Sequence, residues 1–238
     1  MNWDQVVKKV SEHVVKIETP SGSGTGFLLL YNETGTWCGV ATAEHVVSHA
    51  DEWQEPIKIV HDHTKTSTLL KTEERVIYKD WKTDSSVILF LKSKLELPQI
   101  PITLFPMGSF IDIGSEVGWL GYPAIAPYTL CFFSGNVSAR QDFRNAYLID
   151  GVTINGVSGS PVLHLTETEG VQIVGVITAY SPNRATGETL PGLSIAQDVS
   201  NFHDVIKNIR SLDEANRKKA EFEKHQGQMG QESQGLVQ

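Results

Sequence analysis

Short alternating or β-branched runs, each cut off by glycine, proline or asparagine, fill most of this chain and constrain its fold more than any other feature. Side chains along a strand point alternately to two faces, so such runs between turn residues belong to a barrel or sandwich, not to alternating helix and strand. Residues 14–18, 87–91 and 174–180 are clear strands, and the prediction is an all-β molecule. Helical spacing is found near both ends. Trp3, Val6, Val7 and Val10 place a short amphipathic helix before the first strand. Val199, Phe202, Ile206 and Ile209 fall on one face of a second helix, with Asp198 or Ser200 positioned to cap it. With 238 residues and 40% hydrophobic content, the chain suffices for one large domain or two small packed ones.

The chemistry lies in Asn155-Gly156-Val157-Ser158-Gly159-Ser160-Pro161. Ser158 stands between two glycines, where the backbone can bend tightly and aim successive N–H groups at one point. Acyl transfer needs that arrangement to hold a developing oxyanion, and Gly156 and Ser158 are the candidate donors. A hydroxyl is a weak nucleophile at neutral pH, so a base must sit within hydrogen-bond reach and a third group must orient the base. His45, in Thr42-Ala43-Glu44-His45, and Asp84, in Thr83-Asp84-Ser85, are the candidates. Ser160 competes as nucleophile and Asp80 as the acid. Taken singly, each has an ordinary explanation: a Gly/Ser/Pro turn, a core histidine at a strand end, a capping aspartate. Their order, each followed by an apolar run, is what gives them chemical meaning.

Four blocks in sequence carry a family resemblance: Gly22-Ser23-Gly24-Thr25-Gly26-Phe27, the histidine block 40–47, Asp84-Ser85-Ser86-Val87-Ile88-Leu89, and the serine loop 156–161. The order His, Asp, Ser separates them from other routes to the same chemistry. Over roughly residues 12–210 the chain resembles the chymotrypsin-fold serine peptidases, in the branch of the HtrA proteases and the bacterial glutamyl endopeptidases. The resemblance implies two packed six-stranded antiparallel β-barrels, about 12–97 and 107–197, joined by the stretch 95–107 with Pro98, Pro101 and Pro106. The terminal helix, about 199–212, would close against the second barrel and complete a peptidase domain of residues 1–212. The expectation is that no PDZ-like domain follows, unlike in the HtrA proteins. The cleft would take His45 and Asp84 from the first barrel and Ser158 from the second.

The implied activity is a serine endopeptidase acting on polypeptides without a cofactor. Strand 174–180 would pair with the bound peptide, Thr178, Ala179 and Tyr180 would form one wall, and Val152 would floor the primary pocket. Val152 is uncharged, which favours a small or apolar side chain. Tyr180 either narrows that pocket or marks a one-residue slip of the correspondence. Digestive relatives carry an acidic residue before the nucleophile to receive a newly freed N-terminus. Here that residue is Val157, which cannot pair with an ammonium, so the implied enzyme folds in its active form or is controlled by other means. The alternative is a module on the same scaffold that binds peptides or partner proteins with weak or vestigial catalysis.

Other classes fit poorly. The net charge is −8, without a basic cluster, which argues against nucleic acid. No apolar run approaches the roughly 20 residues of a membrane span, and Met1-Asn2-Trp3-Asp4-Gln5 lacks a leader pattern, so the expectation is a cytoplasmic protein off the membrane. Cys38 and Cys131 are read as two reduced thiols. His45 and His49 are four apart and His61 and His63 flank Asp62, but the glutamate precedes His45 instead of following it. No metal site is predicted, and the His-Asp-His stretch is read as a solvated loop. Residues 213–238 are rich in Lys, Glu, Gln and Gly with Phe222 as their only aromatic, and read as a helical extension fraying into a tail that can recruit a protein partner.

Overall fold

A computed structural model describes residues 2–92, 95–166, 168–182 and 189–235. The first half forms seven antiparallel strands: β1 Val14–Thr19, β2 Gly22–Tyr31, β3 Trp37–Ala43, β4 Ile57–His61, β5 Thr66–Leu70, β6 Arg75–Asp80 and β7 Ser85–Leu91. Their order is β5-β4-β1-β2-β3-β7-β6. The second half supplies β8 Glu116–Gly121, β9 Cys131–Gln141, β10 Ala146–Asp150, β11 Pro161–Thr166, β12 Gly170–Pro182 and β13 Thr189–Asp198. These close into a six-stranded barrel, β10-β13-β12-β11-β8-β9.

The fold is mostly β and chymotrypsin-like, as expected, and differs in detail from the expected pair of six-stranded barrels. The first unit is a curled sheet of seven strands whose edges, β5 and β6, do not form a ladder among the described residues. These edges follow one another in the chain through a single 3-10 turn, Thr72–Glu74. The Arg75 guanidinium donates to the Leu70 carbonyl at 2.9 Å and to that of Ala50 at 3.2 Å, so the edges meet at one corner only.

The alternation of strand residues sorts the apolar side chains into three cores. In β2 and β7, Leu28, Ile88 and Phe90 point into the curled sheet. Trp119 of β8, Val162 of β11 and Val174 and Ile177 of β12 fill the barrel. Their neighbours Phe27, Leu29, Val87, Leu89, Leu120, Leu163, Ile173 and Val176 face outward and meet each other in the seam between the two units. A strand buried on both faces must read as a continuous apolar run, which is why Phe27-Leu28-Leu29-Leu30 does not alternate with polar residues.

The first and last helices seal the seam. Helix α1, Trp3–Val10, starts with a capping box between Asn2 and Gln5 and buries Val6 and Val10. Helix α2, Glu44–Glu52, follows β3. Helix α3, Ser200–Gly235, starts where the Asp198 carboxylate accepts the Ser200 N–H at 3.0 Å. Its Phe202 packs edge-on against Phe27 of β2 with ring centroids 5.9 Å apart. The closing helix therefore packs over the seam and the first sheet, rather than against the second barrel as expected. The reason is register: Val199, Phe202 and Ile209 all enter the seam core. The helix runs on past 212, to Gly235. Asp213 accepts the Glu33 N–H at 2.8 Å, and Arg217 pairs with Glu33 at 3.1 Å, both at the turn between β2 and β3.

Cys38 lies buried inside the first sheet and Cys131 begins β9, each a free thiol. Burial pushes the Cys38 thiol up to about 12, which leaves it inert at neutral pH. His61 corrects another expectation. It is buried, with Nδ1 bonded to Thr64 Oγ1 and Nε2 to the Glu12 carbonyl, because it ends strand β4 under the chain entering β1 instead of standing in a solvated loop.

Candidate active site

Strand pairing brings His45 and Asp84 together. Ala43, the last residue of β3, is opposite Ser85, the first of β7, so Glu44 and Asp84 become neighbours. The N-cap of α2 is Ala43, which has no side-chain oxygen for the orphan N–H groups of the first turn. Asp84 takes that role from outside the helix. Its carbonyl accepts the Glu44 N–H at 3.1 Å, its Oδ1 accepts the His45 N–H at 2.9 Å, and its Oδ2 lies 2.8 Å from His45 Nδ1. A carboxylate accepts only, so Nδ1 carries the proton and Nε2 is left as the basic nitrogen. The Asp84 hydrogen bond raises the pKa of His45 against the opposing effect of burial, with further help from the charges of Asp84 and Glu44. Burial and the Asp84 charge also raise that of Glu44.

Asp84 ends the turn 81–84 between β6 and β7 at φ 48°, a left-handed conformation that aspartate tolerates better than most residues. Asp80 faces elsewhere. Its carboxylate accepts the Lys82 N–H and the Thr83 hydroxyl, each at 3.0 Å.

The serine loop is a turn whose peptide planes are pinned from behind. The carbonyls of Asn155, Gly156 and Val157 accept from Ala124 N at 2.7 Å, Thr25 Oγ1 at 2.9 Å and Ser160 N at 3.0 Å. In a trans peptide the following N–H points opposite to the carbonyl. The N–H groups of Gly156, Val157 and Ser158 therefore face away from those partners. Val157 N donates to the Ile154 carbonyl at 3.1 Å, whereas those of Gly156 and Ser158 have no acceptor among the described residues. Two free N–H groups flanking one peptide unit form a site for an oxyanion.

Both glycines are required here. At Gly156, φ 90°, a Cβ would lie 2.4 Å from the Tyr122 carbonyl oxygen; at Gly159, φ 87°, it would lie 2.0 Å from that of Thr25.

Thr25, which sequence reasoning passed over, joins the segments. Fully buried, it donates N–H to the Ser158 carbonyl at 2.8 Å, accepts Thr42 Oγ1 on its carbonyl at 2.7 Å, and through Oγ1 accepts Tyr122 N at 3.0 Å while donating to Gly156. A hydroxyl between two glycines in the first hairpin was the available signal. The loop also abuts the histidine segment, since a Cβ on Gly159 would lie 3.1 Å from Ala43 N and one on Gly24 would touch both Val46 and the Ser158 carbonyl.

Ser158 is half-buried and makes no hydrogen bond to His45 among the described residues. Ser160 is fully buried with its Oγ unpartnered, out of reach of an incoming substrate. Val157 is buried in the barrel core.

Of the expected pocket residues, Val152 follows β10 with its side chain 51% exposed. Thr178 is buried at a bulge of β12, Ala179 is half-buried, and Tyr180 pairs through its backbone with Ser194, its side chain lying outside the described residues. Beyond Val176, β12 loses its β11 partner. Ile177 bonds the serine loop through Ser160 O at 3.0 Å and Gly159 N at 2.7 Å, and the next residues are paired on the β13 side only.

The trypsin-like peptidase domain family model matches residues 24–176, a stretch that includes His45, Asp84 and Ser158. Among curated proteins none matches the chain. The crystal structure of the serine endoprotease from Yersinia pestis is similar at 18% identity, with a TM-score of 0.62, covering 89% of this chain and 67% of that one. That of Deg5 is similar at 20% identity and a TM-score of 0.61, covering 86% and 94%. At such identities the likeness of structure concerns the fold alone.

Proposed function

We propose that this chain, which belongs to the trypsin-like peptidase family, is a serine endopeptidase. Ser158 Oγ attacks the scissile carbonyl while His45 Nε2 removes its proton, and the N–H groups of Gly156 and Ser158 hold the oxyanion of the tetrahedral intermediate. His45 then protonates the leaving amine, and water repeats the sequence on the acyl-enzyme. Asp84 holds the imidazole in the required tautomer and stabilises the imidazolium as it forms. No cofactor enters these steps.

The single observation that carries this reading is the pinned serine turn. Its carbonyls are tied to Ala124, Thr25 and Ser160, and the N–H groups of Gly156 and Ser158 are left free among the described residues. Val157 lies in the barrel core, so the turn is held by Thr25 and Ala124 and not by an ion pair with a freed N-terminus. The one-sided edge of β12 after Ile177 is suited to pair with an extended peptide, and the uncharged Val152 favours a small or apolar primary side chain.

Labelling with a fluorophosphonate tests the nucleophile. Wild-type protein and a Ser160→Ala variant should label quickly, whereas Ser158→Ala should not label and should lose roughly 10⁶ in turnover. Labelling that survived Ser158→Ala would remove Ser158 from the mechanism. A wild-type protein inert to the reagent would favour a peptide-binding module.

A further inference from the structure

Among the described residues, helix α3 is hydrogen-bonded to the turn that holds Asp84 through the Asn201 side chain. The Asn201 amide donates to Asp80 Oδ2 at 2.8 Å, lies 3.1 Å from Ser85 Oγ, and also bonds Thr83 Oγ1. Thr83 Oγ1 in turn bonds Asp80 Oδ2 at 3.0 Å and Ser85 Oγ at 2.9 Å. Asp80 and Ser85 are the paired residues that close the turn 81–84, so Asn201 ties both of its ends to α3. Close packing does not replace this tie. A cavity of about 180 Å³ opens at the same junction, lined by Tyr78, Asp80, Ser85, Asn201, Phe202 and Val205.

We propose that Asn201 is a positioning residue, through which the docked C-terminal helix holds the Asp84 turn in the conformation that orients His45. Asp84 is at positive φ, and a non-glycine residue keeps that conformation only where its surroundings determine it. Inside the turn the restraints among the described residues are Asp80, through Lys82 N and Thr83 Oγ1, and the Thr83–Ser85 hydroxyl pair. From outside the turn, α2 holds Asp84 through the Glu44 and His45 N–H groups, and α3 holds Asp80, Thr83 and Ser85 through Asn201, next to Phe202, whose ring is anchored on Phe27 in the seam. Seating of α3 is thereby linked to the His45–Asp84 bond. Other charges nearby are already engaged: Lys79 of β6 pairs with Asp51 of α2 at 2.6 Å, and the Lys82 ammonium sits over the Trp81 ring. Glu44 remains beside His45 whatever happens to Asn201.

The role of Asn201 rests on the peptidase reading, but its test does not need activity. The His45 imidazole is titrated by NMR in wild type, in Asn201→Asp, and in Asn201→Asp combined with Asp80→Asn. The first substitution sets two carboxylates against each other, yet an acid in the first turn of α3 favours the helix, so the variant retains its fold. The double variant restores a donor and an acceptor with their places exchanged. We expect Asn201→Asp to weaken the downfield Nδ1 proton resonance and to lower the His45 titration point toward the ordinary 6.5. The double variant should recover both. In turnover assays kcat should fall about 10- to 100-fold with KM changed less than about threefold. Asn201→Ala, which adds no charge, should show the same signs at smaller size. An unchanged His45 titration and proton resonance in folded Asn201→Asp and Asn201→Ala would overturn the role of Asn201. Failure of the wild type to label with fluorophosphonate would instead overturn the peptidase reading, leaving the titration to be judged separately.

Discussion

Under the proposed mechanism, His45 and Asp84 link pH to both stability and reactivity. The Asp84 hydrogen bond raises the His45 pKa above its ordinary value of about 6.5. The base must be neutral to accept a proton, so kcat/KM should fall on acidification with a midpoint above about 6.5. For stability the sign is opposite. A raised folded-state pKa contributes stability that is full below about 6.5 and is lost as pH rises through the folded value, so the pair stabilises most where the site is least active. Asp84→Asn should separate these effects. Its side-chain oxygen can still accept the His45 N–H, so folding should be nearly unaffected, but its amide would favour the wrong imidazole tautomer. Turnover near neutral pH should drop by roughly 10⁴ and the residual activity should rise with hydroxide. Near-normal turnover across a pH series would return Asp80 to consideration. The candidate residues were legible in the sequence because each stood in a distinctive local pattern. The choice between Asp84 and Asp80 followed from position in sequence; what distinguishes them in space is the β3–β7 register, which aims one carboxylate at α2 and the other at Lys82 and Thr83.

The serine turn is an element whose conformation is imposed by its neighbours. Thr25 spends every polar group it has on the surrounding segments, and its hydroxyl holds the Gly156 carbonyl away from the cleft. Thr25→Val keeps the shape but leaves the buried Tyr122 N–H and Gly156 carbonyl unpaired, at about 1–3 kcal/mol each. It also frees the Gly156 peptide to rotate its N–H out of the site. A peptide aldehyde, which forms an oxyanion on binding, should lose about 10²-fold in affinity, while KM for a matched substrate changes little. Thr25→Ser should restore most of the loss. Equal weakening of aldehyde and substrate would mean that Thr25 is only a packing residue. Nothing in the sequence singled out Thr25 beyond its two flanking glycines, since its partners Thr42, Tyr122, Gly156 and Ser158 all lie 17 or more residues away.

At the scale of the whole molecule the two β-units share a core, so they should not unfold separately. Phe202 belongs to that core and Phe222, in the same helix, is 63% exposed. Phe202→Ala should cost about 3–5 kcal/mol, whereas Phe222→Ala should stay within about 0.5 kcal/mol. Denaturant unfolding followed by far-UV circular dichroism and by tryptophan fluorescence should give coincident single transitions in both variants. Two separated transitions would show that the seam does not couple the units. The all-β class, the terminal helices and the order of the three chemical blocks were determined by the sequence alone, because strand alternation, helical spacing and glycine-flanked turns are local properties that survive without knowledge of partners. Which face of each strand enters the barrel, the curled sheet or the seam was decided only in three dimensions, because alternation divides residues into two sets without saying what covers either. The same holds for the seven-stranded first unit, for the seat of α3 over the seam, and for the unpaired N–H groups of the serine turn. Each depends on hydrogen bonds and packing between segments distant in the chain, and no local pattern encodes them.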